Sequence, residues 1–218
     1  MLPEPDNNLL QQEIQTLLEH IQHAVLKLIL TRGPGQRGYA IPDKTLVSRI
    51  LILSDVPDYP SDYPTNGIKV FTCQTPLSIN PALAGIKHLN RLEQVLARNE
   101  WQGNAYQEGL CLDTNQHLIE GTMSNLFWVK DGVLYTPDLS GSGVAGVMRE
   151  VVMQLAMENN ISIKMGLWPV AELLGAEEIF MTNSLIGIWP VSYILDKTFD
   201  VGPVTQQLQL LLQVKYAI

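Results

Sequence analysis

Residues 106–139, YQEGLCLDTNQHLIEGTMSNLFWVKDGVLYTPDL, break into short apolar runs separated by turns at Thr114-Asn115 and Asp131-Gly132. Runs this short, joined this tightly, pair as an antiparallel meander, because a parallel pair needs a crossover of about a dozen residues. The rest of the chain sets single helices between further strand-length runs. An apolar stripe of Leu10, Ile14, Leu17, Leu18 and Ile21 predicts a helix over residues 7–23. AVLKLILTRG, VSRILILSDV and IKVFTCQT read as strands, the last entered through an Asn66-Gly67 turn. Leu89, Leu92, Val95 and Leu96 recur at helical spacing behind Lys87. A glycine-rich turn opens a helix at GVMREVVMQLAMENN, ISIKMGLW is a strand, VAELLGA a short helix, and VTQQLQLLLQVKY closes the chain as a helix. Meanders punctuated by single helices predict an α+β fold, not a regular βαβ alternation.

Residues 76–84, PLSINPALA, are rich in Pro and Asn and lack periodicity, so they read as a linker between a small α/β domain over 1–75 and a larger domain over 85–218. With 46% hydrophobic and 17% charged residues the chain can bury a core. Its net charge of −8 argues against nucleic acid or an anionic membrane as the main partner, but leaves room for a small anionic substrate in a local basic pocket. The two cysteines, Cys73 and Cys111, have neither metal nor disulfide spacing, and MLPEPDNNLL is not a secretory signal; a cytoplasmic protein is the expectation.

Five places carry candidate chemistry. Lys87, among Ala84-Gly85-Ile86 and ahead of an apolar helix, is placed to be desolvated, which would free its amine for a covalent bond to a carbonyl; a lysine whose stem lies on apolar surface is the plainer account. Glu120 stands within an apolar strand, where a carboxylate must pair or be protonated, and strand alternation puts Ile119 and Gly121 on the opposite face. Gly141, Gly143 and Gly146 fit the dinucleotide fingerprint, but Pro137 interrupts the preceding strand and Lys164 stands where a ribose-binding acid is wanted, so that reading is rejected. What survives is a helix start whose N–H groups at Val147 and Met148 can hold a phosphate, or a helix cap without a ligand. Thr182, Asn183 and Ser184 interrupt an apolar segment, as ligand contacts or as a self-bonded turn. Arg32 and Arg37 flank a glycine-rich loop and suit substrate carboxylates, or tip an exposed hairpin. His20 and His23 lack a third ligand, and no metal site is expected.

In order and spacing, AGIKHLNRLEQVLAR, EGTMSNLFWVKDGVLYTPDLSGSGVAGVMR and EIFMTNSLIGIWPV resemble the class IV (fold type IV) pyridoxal-phosphate enzymes, most of all the aminodeoxychorismate lyases among them, over most of residues 25–195. The resemblance implies pyridoxal 5'-phosphate as cofactor and a homodimer. It also implies release of pyruvate from 4-amino-4-deoxychorismate to give 4-aminobenzoate for folate synthesis, with a branched-chain or D-amino-acid aminotransferase, or a non-catalytic remnant, as alternatives. It makes Lys87 the covalent attachment point and the base that moves the Cα proton. Glu120 becomes the partner of the pyridine nitrogen. Val147, Met148, Ser184 and Leu185 become contacts of the phosphate, with Arg32 facing substrate carboxylates and Asn125 structural. It further implies about 50 residues ahead of Met1, completing the small domain and carrying an arginine for the phosphate, so the small domain is expected to be truncated here.

Overall fold

The computed structural model describes residues 4–216, which divide into two compact units, one up to Tyr59 and one from Pro60. In the first unit, Asp6 caps α1 (Asn7–Leu18) by accepting the N–H groups of Asn8 and Leu9 at 3.0 and 3.1 Å. The helix ends at Leu18, short of residue 23, because Ile21 N–H turns back onto Leu18 O at 2.9 Å to bring the chain round to β1 (Val25–Thr31). β1 pairs antiparallel with β2 (Ser48–Ser54) over its whole length, and Arg49 forks onto Glu13 at 2.7 and 2.8 Å to tie β2 to α1.

The second unit opens with the one-turn α2 (Tyr63–Asn66) and β3 (Ile68–Thr72), then runs through α3 (Leu92–Arg98), β4 (Glu108–Leu112), β5 (Leu118–Gly121), β6 (Asn125–Lys130) and β7 (Val133–Pro137). It continues through α4 (Val147–Glu158), β8 (Ile163–Gly166), a 3-10 turn over Val170–Gly175, β9 (Glu178–Asn183), β10 (Gly187–Ile194), β11 (Lys197–Thr198) and α5 (Pro203–Tyr216). The meander over residues 106–139 forms as its turns predict, β4 to β7 pairing antiparallel in sequence. β3 runs parallel to both β4 and β10, and β9 pairs with both β6 and β10, so six strands close a ring in the order β3-β4-β5-β6-β9-β10.

Alternation along these strands gives the ring two apolar faces. Ile68, Val70, Leu110, Leu126, Trp128, Met181 and Trp189 fill the inside, so the barrel is a packed core and not a channel. Outward-facing Phe127, Val129, Phe180 and Ile188 are covered by α4 and α5, while Cys73, Cys111 and Ile119 pack with Ala97 of α3 and with Trp101. The architecture is the anticipated α+β fold, with a closed barrel at the centre of the larger unit.

The expected boundary at residues 75/76 is displaced. β3 belongs to the barrel because Ile68 and Val70 are core residues of it, and the division falls between Tyr59 and Pro60. Residues 76–84 do not span a gap: Leu77 is buried and donates its N–H to Leu112 O at 2.8 Å, and Asn80 N–H donates to Gly141 O at 2.8 Å. A Pro- and Asn-rich segment has no periodicity when its hydrogen bonds go one by one to a neighbouring loop. Among the described residues, no helix is long and apolar enough to cross a membrane, and Cys73 and Cys111 are both free and buried.

Candidate active site

The site grows from a β-bulge. β4 and β5 pair Cys111 with Glu120 and Leu112 with Leu118, so the register slips and Ile119 is extra. Strict alternation would turn Ile119 away from Glu120. Instead both reach Gly143, whose missing Cβ would lie 2.7 Å from Ile119 Cγ2 and 3.2 Å from Glu120 Oε2. A bulge re-aims a side chain in this way, and here it delivers a carboxylate to the glycine-rich loop.

Glu120 is 4% exposed, and the one hydrogen bond its carboxylate receives among the described residues comes from Val144 N–H to Oε2 at 2.7 Å. Burial pushes its pKa up to about 7; the Val144 N–H, the Arg91 and Lys87 charges pull it back, and Glu108 adds to the rise. Across the strand pair, Asn125 donates Nδ2–H to Val144 O at 2.8 Å and fills the space a Cβ on Gly146 would need, 2.2 Å from its Oδ1. The same loop receives the Lys87 segment: Gly85 N–H donates to Gly143 O at 3.0 Å, and Ala145 N–H returns a bond to Gly85 O at 3.1 Å.

Lys87 itself departs from expectation. It is exposed and lies in irregular backbone, with α3 beginning only at Leu92. Arg91 explains the delay, because its guanidinium donates to Ile86 O at 2.6 Å and His88 O at 3.0 Å and so takes carbonyls that a helix would have used. Leu89, Leu92, Val95 and Leu96, which recur at helical spacing, are also exposed. Beside them lies a cavity of about 340 Å³ lined in part by Asn80, His88, Arg91, Gln94 and Ser142. Three of its buried polar atoms, His88 Nδ1, Gln94 Oε1 and Ser142 Oγ, have no hydrogen-bond partner among the described residues.

The phosphate candidates fall on two backbone features. α4 starts at Val147 behind its N-cap Gly146, which has no side chain to cap the first turn; Val147 is exposed and Met148 is buried. Ser184 and Leu185 form the exposed turn between β9 and β10. Asn183 builds that turn, its Oδ1 accepting Leu185 N–H at 2.8 Å and Ile186 N–H at 3.0 Å, while its Nδ2 donates to Met123 O at 3.0 Å. Thr182 closes the turn by donating to Gly187 O at 2.6 Å. The polar interruption is thus a self-bonded turn that leaves Ser184 outermost. In the first unit, Arg32 follows β1 half-buried and Arg37 is exposed.

Sequence reading passed over Glu108. Its buried carboxylate accepts Thr122 Oγ1–H and Ser124 Oγ–H at 2.6 Å each, Thr122 N–H at 3.0 Å and its neighbour Gly109 N–H at 2.8 Å. It thereby shapes the β5–β6 turn that joins Glu120 to Asn125 and presents Met123 O to Asn183. The signal was available, since an acid inside the apolar run YQEGLCLD is as anomalous as Glu120. Glu178 is a second such acid, but its bonds to Val204 N–H, Thr205 N–H and Thr205 Oγ–H cap the start of α5, away from these loops.

The chain is 38% identical over 195 residues to an aminodeoxychorismate lyase of Vibrio harveyi, a match covering 86% of this chain and 71% of that protein. It is 30% identical over 216 residues to a putative branched-chain-amino-acid aminotransferase of Methanocaldococcus jannaschii, covering 95% and 73%. Its structure superposes on the crystal structure of 4-amino-4-deoxychorismate lyase from Pseudomonas aeruginosa with a TM-score of 0.95 and 42% identity, over 100% of this chain and 80% of that one. The family profile of amino-transferase class IV matches residues 1–194. The chain belongs to the class IV aminotransferase family.

Proposed function

We propose that this chain is a pyridoxal 5'-phosphate-dependent lyase that converts 4-amino-4-deoxychorismate to 4-aminobenzoate and pyruvate. The observation that carries the cofactor is Glu120: a buried carboxylate whose Oε1 has no hydrogen-bond donor among the described residues, its pKa raised by burial to about 7 against the pull of the Val144 N–H and of the Arg91 and Lys87 charges. Such a group fits a ring nitrogen that must stay protonated. The uncapped start of α4, offering the Val147 and Met148 N–H groups, and the Ser184–Leu185 turn are suited to the phosphate. When bound, the cofactor supplies an electron sink at the substrate carbon that bears the amine. Lys87 would be the amine that holds the cofactor and the base for the proton on that carbon. The lyase reading in particular rests on the relatives from Vibrio harveyi and Pseudomonas aeruginosa.

The exposed apolar row of Leu89, Leu92, Val95 and Leu96, above a cavity with three orphaned polar atoms, supports a homodimer in which a second copy covers this face. A monomeric mass by light scattering would remove that part of the reading. The two unpaired buried cysteines are consistent with a reducing cytoplasm. Arg32 remains the candidate for substrate carboxylates on its guanidinium chemistry alone.

The test begins with the visible spectrum of the chain mixed with pyridoxal phosphate, followed by borohydride reduction and peptide mapping. Label confined to Lys87, with pyruvate released in the absence of any keto acid, is the expected result. Turnover that requires a keto-acid acceptor favours the second reading, an aminotransferase, which the Methanocaldococcus jannaschii relative supports. Label scattered over other lysines overturns the cofactor assignment.

A further inference from the structure

Lys87 occupies the tip of a one-residue turn. His88 N–H donates to Ile86 O at 2.9 Å, closing a γ-turn around Lys87, which keeps a negative φ, the inverse and unstrained form. A three-residue turn rests on one hydrogen bond and holds its central residue weakly, but here both flanks are secured. Upstream, Gly85, at φ +76°, exchanges bonds with Gly143 and Ala145 at 3.0 and 3.1 Å. Downstream, the Arg91 guanidinium takes the carbonyls on either side of Lys87, Nη2–H donating to Ile86 O at 2.6 Å and Nε–H to His88 O at 3.0 Å. Ile86 O thus accepts from both the turn and the guanidinium, as its two lone pairs allow, and the charged donor is the stronger.

Arg91 does this at the expense of its own helix. It is the N-cap of α3, where its side chain makes no capping bond, has no acceptor to offer and adds charge to the positive end of the helix dipole. An asparagine would serve the helix better. Among the described residues no carboxylate forms an ion pair with Arg91. The clamp also stands beside the candidate site, because Arg91 lines a cavity with Gly143, and Gly143 abuts Glu120. Burial raises the Glu120 pKa, and after the Val144 N–H the charges that draw it back are Arg91 and then Lys87.

We infer that Arg91 is a positioning residue for Lys87: its fork on Ile86 O and His88 O keeps Lys87 at the tip of the turn, outside the helix, where its amine can meet the cofactor. This rests on the cofactor reading above. A residue that merely starts α3 could be replaced without loss by a better N-cap; a clamp on Lys87 could not.

The experiment compares the whole chain with its Arg91→Met and Arg91→Asn variants, the second supplying the cap that arginine lacks. Each is mixed with limiting pyridoxal phosphate and reduced with borohydride, and the label on the Lys87 peptide is measured as a share of that on all lysines. Deuterium uptake over residues 85–90 is followed on the same chains without pyridoxal phosphate, with circular dichroism melts as the check on folding. Both variants are expected to lose about tenfold in the Lys87 share, within the roughly hundredfold that a misplacement of about 1 Å can cost. Both should also exchange faster over 85–90, and Arg91→Asn should melt higher than Arg91→Met without regaining the label. A Lys87 share that recovers together with the melt in Arg91→Asn, or uptake equal to wild type, overturns the inference, because Arg91 then only starts the helix. Should Arg91→Met not fold, Arg91→Asn decides alone, loss of the Lys87 share supporting and retention refuting. A wild type not labelled selectively at Lys87 refutes the cofactor reading and this inference with it, whereas selective wild-type labelling that persists in Arg91→Asn refutes this inference alone.

Discussion

Glu120 and Asn125 face each other across β5 and β6 and hold Val144 by both of its backbone polar groups, the carboxylate taking its N–H at 2.7 Å and the amide its carbonyl at 2.8 Å. The glycine-rich loop is therefore positioned by the same hairpin that supplies the candidate acid. Because Gly143 and Ala145 also bond Gly85, the backbone leading to Lys87 inherits that position.

Glu120 should make the apoprotein less stable as pH rises. Its pKa stands near 7 in the folded chain against an ordinary value of 4.5, so between these values the native state holds the extra proton and stability falls with increasing pH. The displacement corresponds to roughly 3 kcal/mol, fully expressed above pH 7 and absent below pH 4.5. Glu120→Gln should thus stabilise the apoprotein at pH 8 and change little at pH 4.5, as urea unfolding at the two pH values would reveal; a pH-independent effect contradicts the assigned burial cost.

Lys87→Ala should abolish the borohydride-trapped label while leaving the fold intact. The side chain is exposed and the residue sits in irregular backbone, so the change in unfolding free energy should stay within about 0.5 kcal/mol. A thermal melt paired with the labelling assay checks both halves.

Gly146→Ala tests the contact with Asn125. The backbone at Gly146 is extended, φ −69°, so the strain is not conformational; the new Cβ would meet Asn125 Oδ1 at 2.2 Å. Moving Asn125 loosens Val144, and a loss of about 1–3 kcal/mol is expected, accompanied by weaker cofactor binding. Unchanged binding would show that the loop is held without Asn125.

Two buried acids should separate stability from binding. Glu108→Gln replaces acceptors on the β5–β6 turn by a donor and should cost about 2–3 kcal/mol together with cofactor affinity, because Glu120 and Met123 lose their frame. Glu178→Gln uncaps α5 and should cost about 1–2 kcal/mol with cofactor affinity unchanged. Denaturation curves and cofactor titrations on both variants decide the matter.

The meander and its turns were legible because alternation and turn chemistry act over a few residues, and Asp131-Gly132 makes its turn whatever surrounds it. Lys87, Glu120 and the helix start at Val147 could be singled out for the same reason: each is a residue type at odds with its immediate neighbours. Other features depended on partners distant in sequence. The helix behind Lys87 was placed too early because Arg91 spends its donors on Ile86 and His88, a choice that local spacing does not encode. The linker over 76–84 was misread because its order comes from single bonds to Leu112 and Gly141.

Sequence by itself determined which residues could carry the chemistry, since a buried acid or a lysine among apolar neighbours is a local anomaly. Only the tertiary structure decided how they meet. The extra residue between β4 and β5 aims Glu120 at Gly143, and ring closure through β3 moves the unit boundary to Tyr59. Register and closure are sums over pairs far apart along the chain, and no window of sequence contains both members of such a pair.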